Sequence, residues 1–93
     1  MEAPEVTEIK ANCNNKEYVL KAVGGQGKLL EWASDELRDD YDVVKAAVSN
    51  KGIIVKYASF RLRDNEEIAR IAVEQNKVAI HYLSERMKKL IEV

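Results

Sequence analysis

The hydrophobic positions of the chain repeat at an interval of 25 residues. Residues 18–23, 43–48 and 68–73 align without a gap, as do residues 31–34, 56–59 and 81–84. Within each copy the apolar residues recur at one, four and five positions, which is the spacing of one helix face. Repetition at this period is typical of stacked helical units that bury their apolar faces against their neighbours. We therefore predict an all-α fold, a short helical-repeat stack.

Each 25-residue unit is predicted to be a hairpin of two helices, helix A and helix B. An N-cap acceptor followed three positions later by an acid marks the start of each helix A, and the predicted caps are Asn14, Asp39 and Asp64. Gly27 and Gly52 follow helix A, where a helix end favours glycine in the left-handed conformation. In the third copy Lys77 takes the place of the glycine.

Helix B follows directly and ends near a repeated serine, which is Ser34, Ser59 or Ser84. An apolar residue lies three positions after each serine. The pattern leaves two alternatives open: helix B continues past the serine, or the serine caps a short extra turn.

The repeats are placed at about 14–38, 39–63 and 64–93 of a single domain, residues 1–93, with residues 1–15 as an N-terminal cap or tail. The third copy lacks the Leu-Arg-Asp sequence that ends the first two. Its apolar residues continue at helical spacing from Ile80 to Leu90, so we predict a longer C-terminal helix there.

The middle copy, residues 43–64, reads Val-Val-x-Ala-Ala-Val, then a glycine, then x-Tyr-Ala-Ser and Leu-Arg-Asp. This sequence resembles the repeat of domain of unknown function 4116, and the resemblance extends over roughly residues 14–89. The third copy departs from it at Lys77 and after Ser84. The resemblance implies a tandem helical module without an established biochemical activity, which is found in bacterial proteins, secreted effectors among them, and in protists.

The charge balance argues against a general nucleic-acid binder, because 15 basic residues face 16 acidic ones. The charges are unevenly distributed, with 6 basic and 10 acidic residues in 1–50 and 9 basic and 6 acidic residues in 51–93. Such a gradient would favour head-to-tail association, although ordinary variation also accounts for it.

No apolar segment is long enough for a signal peptide or a membrane span, so we expect a cytoplasmic protein; delivery as a secreted effector stays open, because the family includes such proteins. Cys13 is the only cysteine, which excludes an intramolecular disulfide.

We predict no catalytic, cofactor-binding or metal-binding residues, and no enzyme. The glycine-rich segment 24–28 lacks the spacing and the Ser or Thr of a phosphate-binding loop. His81 is the only histidine, and the acidic cluster at 35–42 lacks the glycine and glutamate of a calcium loop.

An aromatic residue occupies the same position in every repeat, namely Trp32, Tyr57 and Tyr82. These three residues, the aromatic ladder, pack between helices in one interpretation and stack on a ligand in the other. In the second interpretation the chain binds a nucleic acid or a small ligand, with help from Lys51, Lys56, Arg61 and Arg63.

The C-terminal turns combine basic and apolar residues, and we predict an interaction edge formed by Arg86, Lys88, Lys89, Leu90, Ile91 and Val93. Self-association through this edge is expected. The function we predict first is a non-catalytic protein-protein interaction or scaffolding module. The departures from the repeat, at residues 1–15, at Lys77 and from Arg86 onward, are where a function specific to this chain is to be sought.

Overall fold

The computed structural model describes residues 3–92, and within them the chain forms ten helices and no strand. The predicted all-α class is confirmed. The α-helices are α1 (Pro4–Ala11), α2 (Lys16–Gly25), α3 (Asp35–Arg38), α4 (Tyr41–Asn50), α5 (Phe60–Arg63), α6 (Glu66–Gln75) and α7 (Glu85–Glu92), and the 3-10 helices are η1 (Gly27–Trp32), η2 (Gly52–Tyr57) and η3 (Lys77–Tyr82).

The same three helices recur along the chain. A ten-residue α-helix is followed by a six-residue 3-10 helix and then by a further α-helix, so the three units are α2–η1–α3, α4–η2–α5 and α6–η3–α7. Each unit thus contains three helices rather than the predicted hairpin of two. The predicted helix B is the 3-10 helix, and a separate α-helix begins after the serine.

The repeated serine decides between the two alternatives for the end of helix B. Each serine hydroxyl accepts a hydrogen bond from the backbone N–H three residues on, at 3.2 Å for Leu37, 3.3 Å for Leu62 and 3.2 Å for Met87. These bonds cap α3, α5 and α7 at their N-termini, because an N-cap hydroxyl satisfies an amide that has no partner inside the helix. Serine therefore starts a new helix.

The third unit obeys the same rule, so the predicted continuous helix from Ile80 to Leu90 is wrong. η3 ends at Tyr82, and α7 begins at Glu85 after the Ser84 cap. α7 has eight residues, twice the four of α3 or α5, but fewer than the ten of each long helix. α7 is therefore longer than its counterparts α3 and α5, but it is not the longest helix of the chain's described part.

The N-caps of the long helices lie one residue later than predicted. Their side chains accept a hydrogen bond from the backbone N–H three residues on, at 3.0 to 3.1 Å, and these caps are Asn15, Asp40 and Asn65. The residues predicted as caps, Asn14, Asp39 and Asp64, instead accept hydrogen bonds from the serine hydroxyls. Two adjacent polar residues precede each long helix, and only the second one caps it.

The units are stacked into a body of 42 × 21 × 19 Å, and buried residues from Ile9 to Met87 form one hydrophobic core. α4 lies between α2 and α6, and η2 contacts both α6 and η3. Each of the first two units is therefore covered by the long helix of the unit that follows. α1 contacts η1 and places Ile9 in the core beside the first unit.

Gly27 and Gly52 are buried at the start of η1 and η2. The prediction that they adopt the left-handed conformation is wrong, since no glycine among the described residues has a positive φ. They lie against the next unit instead. A methyl group on Gly27 would come within 2.6 Å of the Ala47 carbonyl oxygen, and one on Gly52 would overlap the Ala72 carbonyl oxygen.

Candidate functional site

The outer surface of the third unit differs from the same surface of the first two units. The elements of the second unit that contact the third are α4, η2 and α5. Their counterparts in the third unit are α6, η3 and α7, which no further unit covers within residues 3–92. We call the exposed side of α6, η3 and α7 the C-terminal end.

The apolar residues of the C-terminal end are less buried than their counterparts. Val73 is half-buried, whereas Val23 and Val48 at the same position are fully buried. Ile80 is half-buried, whereas Val55 is fully buried. The difference results from the stacking, because a following long helix covers only the first two units.

Two further apolar side chains are exposed at this end, Val78 at 50% and Leu90 at 42%. Apolar surface marks a contact site when it forms a contiguous patch. The sequence pattern missed Val73 and Ile80 because they follow the repeat, and it missed Val78, whose counterparts are Lys28 and Ile53. Lys77 in place of the glycine, and the loss of the Leu-Arg-Asp sequence, are the signals in the sequence that the third unit differs from the first two.

Lys77 occupies the position of Gly27 and Gly52 but is exposed at the start of η3. It has no ion-pair partner within the described part of the chain. Lys77 thus adds a cation to the C-terminal end at the position where the first two units have a glycine.

The residues of the predicted interaction edge have different surroundings in the structure. Arg86 is exposed but is not a free cation, because its guanidinium binds the Asp64 carboxylate at 3.0 Å. Lys88 forms an exposed ion pair with Glu85 at 3.4 Å, and Lys89 is exposed. Ile91 packs partly on the core, and Val93 lies outside the described residues.

The aromatic ladder residues Trp32, Tyr57 and Tyr82 are all half-buried and pack against the core. Basic side chains cover their rings. The Lys10 ammonium lies 4.4 Å from the Trp32 ring centre, and the Lys56 ammonium lies 5.2 Å from the Tyr57 ring centre and 5.8 Å from that of Tyr82. Such cation–π contacts stabilise the rings where they are.

The basic residues considered for ligand binding are mostly used within the chain. Lys56 bridges two rings of the aromatic ladder. Arg61 binds the Asp39 carboxylate at 2.9 Å, and Arg63 donates a hydrogen bond to the Tyr82 carbonyl at 3.4 Å. Lys51 remains exposed at the end of α4. The four residues therefore do not form one basic site.

A set of hydrogen bonds between a serine, an aspartate and an arginine, which we call the clasp, occurs in both the second and the third unit. The Ser59 hydroxyl donates to the Asp39 carboxylate at 2.5 Å, and Arg61 binds both that carboxylate and the Asp39 carbonyl. Ser84, Asp64 and Arg86 repeat this arrangement. In the first unit, Asn14 replaces the aspartate and accepts from Ser34 at 2.9 Å.

The clasp shifts the acidity of its aspartates. The Ser59 hydroxyl and then the Arg61 guanidinium lower the pKa of Asp39 below its ordinary value of 3.8. Arg86 and then Ser84 lower the pKa of Asp64 in the same way. Hydrogen bonds to the ionised form favour that form. Each of these serine hydroxyls caps a helix and also donates a hydrogen bond to a carboxylate, so both of its interactions support the fold.

No group of three or more potential metal ligands comes together within residues 3–92. The concave sites are shallow, and one of about 220 Å³ lies between units, lined by Asp35, Arg38, Tyr57, Ala58 and Ser59. None of the helices in the described part of the chain combines the length and the apolar character that a membrane span requires.

Comparison with known proteins identifies one family. The model of the family described as Domain of unknown function (DUF4116) matches residues 15–63 and again residues 42–88, so the two matches overlap in the second unit. No curated protein and no solved structure matches the chain. Together the two matches extend from residue 15 to residue 88, which is most of the chain, and the chain belongs to the DUF4116 family.

Proposed function

We propose that this protein is a non-catalytic protein-protein interaction or scaffolding module whose contact surface is the C-terminal end. The observation that supports the proposal is the difference between Val48, which is fully buried, and its counterpart Val73, which is half-buried. The same apolar position is covered in two units and left open in the third.

Covering this surface is energetically favourable. Full burial of a Val, Leu or Ile side chain contributes about 1.5 to 3 kcal/mol, so a partner that covers Val73, Val78 and Ile80 gains a hydrophobic centre for its interface. The same elements also carry the exposed charged side chains Glu74, Lys77 and Lys89. An apolar centre with a polar rim is the usual anatomy of a protein interface.

Self-association is one form of this proposal, in which a second copy supplies the partner surface. Light scattering over a wide concentration range tests it. A mass that rises with concentration in the wild type, and stays monomeric in Val78→Glu, supports self-association through the C-terminal end. A monomer mass at every concentration excludes it and leaves a different protein as the partner.

The main experiment compares capture of proteins from a native lysate by the wild type and two variants. Val78→Glu places a charge in the C-terminal end. Phe60→Glu is the matched control, because Phe60 is 65% exposed on α5 of the second unit and its counterpart in the third unit is Glu85. Circular dichroism confirms that both variants are folded.

We expect a partner that the wild type and Phe60→Glu retain and that Val78→Glu, Leu90→Glu or Ile91→Glu loses. A partner bound equally by all variants places the contact surface elsewhere on the molecule. Absence of any saturable partner and of self-association contradicts the proposed function.

A further inference from the structure

We propose that Arg63 and Phe60, which lie on α5 of the second unit, form a binding site for an acidic peptide segment of a partner protein. A carboxylate of that segment binds Arg63, and an apolar side chain next to it covers Phe60. The site lies outside the C-terminal end, and the inference goes beyond the proposed function. It rests on a comparison of the same position in the three units.

In the first and third units, an acid and a base three residues apart form an ion pair on the helix that the serine caps. The Arg38 guanidinium binds the Asp35 carboxylate, and the Lys88 ammonium lies 3.4 Å from the Glu85 carboxylate. The two pairs occupy equivalent positions, because two 25-residue periods separate them. In both units the base at this position is therefore neutralised by a carboxylate.

The second unit keeps the base at this position but lacks the acid. Arg63 is the counterpart of Arg38, whereas Phe60 replaces the acid. Among the residues that the structure describes, no carboxylate pairs with Arg63. The half-buried guanidinium of Arg63 thus lacks the counter-ion that its counterparts have.

The contacts that Arg63 does form leave room for a carboxylate. One terminal nitrogen donates to the Tyr82 carbonyl at 3.4 Å, and the guanidinium lies 5.9 Å from the centre of the Phe60 ring. An aromatic ring attracts a cation but has no net charge to neutralise it. The Nε of Arg63, like that of Arg38, is buried and has no hydrogen-bond partner in residues 3–92. A ligand carboxylate therefore binds the terminal nitrogens, whose planar arrangement suits its two oxygens.

Phe60 adds an apolar surface beside this cation. Its side chain is 65% exposed, more than that of any other large apolar residue in the described part of the chain. An exposed ring gains no stability from burial, so Phe60 contributes little to the fold of the isolated chain. Aromatic residues and arginines are enriched among the residues that contribute most to protein interfaces. A partner with an apolar side chain beside a carboxylate covers the ring and neutralises the guanidinium at once.

The test uses two capped peptides as probes, acetyl-Leu-Glu-Leu-amide and acetyl-Leu-Gln-Leu-amide. They have the same size, and only the first carries a carboxylate. Nuclear magnetic resonance follows the Nε–H signal of Arg63 in the full chain as each peptide is added. We expect the glutamate peptide to bind at least about tenfold more tightly, and the difference to decrease as salt is added.

Variants at the site separate the charge from the apolar contact. Phe60→Glu places a carboxylate where the first and third units have one, so it should neutralise Arg63 and remove the preference for the glutamate peptide. Phe60→Gln has the same size without the charge and should keep that preference. Arg63→Met should also remove it, whereas Arg70→Met, which makes the same charge change at an exposed arginine paired with Glu66, should not.

A gain of binding in the first unit provides the strictest test. Asp35→Phe recreates there the arrangement of the second unit, because it frees Arg38 from its carboxylate. In a chain that also carries Arg63→Met, Asp35→Phe should restore the preference for the glutamate peptide. The Nε–H signal of Arg38 should then shift as the peptide is added. Circular dichroism shows that each variant is folded, and the two Phe60 variants decide the question if Arg63→Met does not fold.

Four results would overturn this inference. They are no saturable shift with the glutamate peptide, equal affinity for the two peptides, a preference that survives Phe60→Glu, and tighter binding of inorganic phosphate than of the glutamate peptide. The proposed function is tested separately from this site. A lysate protein that Phe60→Glu loses and Val78→Glu keeps would belong to the Arg63 site and not to the C-terminal end.

Discussion

Gly27 lies directly against the carbonyl oxygen of Ala47, and a methyl group on Gly27 would come within 2.6 Å of that oxygen. The contact joins the first unit to the second, and the amide of Gly27 donates a hydrogen bond of 2.7 Å to the side chain of Asn50 at the same place. Gly52 repeats the close approach at the next junction. Glycine is required here for space and not for an unusual backbone conformation.

Substitution of these glycines should therefore destabilise the stack. We expect Gly27→Ala and Gly52→Ala each to lower the free energy of unfolding by about 1 to 3 kcal/mol, because overpacking against a backbone forces the units apart. Urea denaturation followed by circular dichroism measures the change. Gly24→Ala is the control, because Gly24 lies in α2 with open space around its α-carbon.

The control variant Gly24→Ala should not lose stability. Alanine is favoured over glycine in a helix by up to about 1 kcal/mol, so Gly24→Ala should leave the stability unchanged or raise it. If Gly52→Ala were as stable as the wild type, the close junction between η2 and α6 would be wrong.

The 25-residue period predicted the all-α class and the three long helices, but not the purpose of the glycines. A glycine after a helix has two uses, a left-handed turn or a close approach, and only the position of Ala47 in the next unit distinguishes them. The helix start was placed one residue early for a related reason. Asp39 and Asp40 are equally good caps by type, and the Ser59 hydroxyl engages the first.

The candidate site was predicted only in part, for a different physical reason. Leu90 and Lys89 interrupt the repeat, so the sequence marks them. Val73 follows the repeat and differs from Val48 only in what covers it. Because both residues are valine at the same repeat position, the sequence cannot show that Val48 is covered by the next unit and that Val73 is not covered within the described residues.

The clasp aspartates should make the stability depend on pH. Their pKa values are lowered in the folded state, so their contribution is present above the unfolded value of 3.8 and is lost as the pH falls through the folded value. We expect the wild type to exceed the Asp39→Asn, Asp64→Asn variant in stability at neutral pH. The difference should shrink as the pH falls below 3.8 towards the lowered pKa values of the folded state.

Urea denaturation at a series of pH values measures this convergence. Asparagine is a suitable replacement, because Asn14 already accepts from Ser34 in the first unit. A constant difference between the two proteins across this range would show that the carboxylate charge has no part in the clasp. Ser59→Ala with Ser84→Ala should also flatten the pH dependence, since it removes the hydroxyl donor from each aspartate.

Trp32 tests the packing role of the aromatic ladder. Because its ring is half-buried against the core, Trp32→Ala should lower the free energy of unfolding by about 3 kcal/mol, the lower end of the range for a large aromatic. Lys10→Ala should cost about 0.5 to 1 kcal/mol through the lost cation–π contact. An unchanged urea midpoint for Trp32→Ala would place the ring at the surface.

The aromatic ladder also leads to a prediction about nucleic acids. Lys56 lies on two rings and Arg61 on Asp39, so neither is available to bind phosphates without losing an internal contact. We expect no binding of a single-stranded oligonucleotide, even at low salt where phosphate contacts are strongest. Fluorescence anisotropy with a labelled oligonucleotide checks this, and a salt-dependent complex would instead support the ligand-binding alternative.

Met87 and Leu90 lie three residues apart in α7 but differ in burial, since Met87 is fully buried and Leu90 is 42% exposed. Met87→Ala should lower the free energy of unfolding by about 2 to 5 kcal/mol, as expected for a cavity in the core. Leu90→Ala should change it by about 0.5 kcal/mol or less. Equal losses in urea denaturation would mean that the last turns of α7 close the core as well, leaving only Val73, Val78 and Ile80 for a partner to cover.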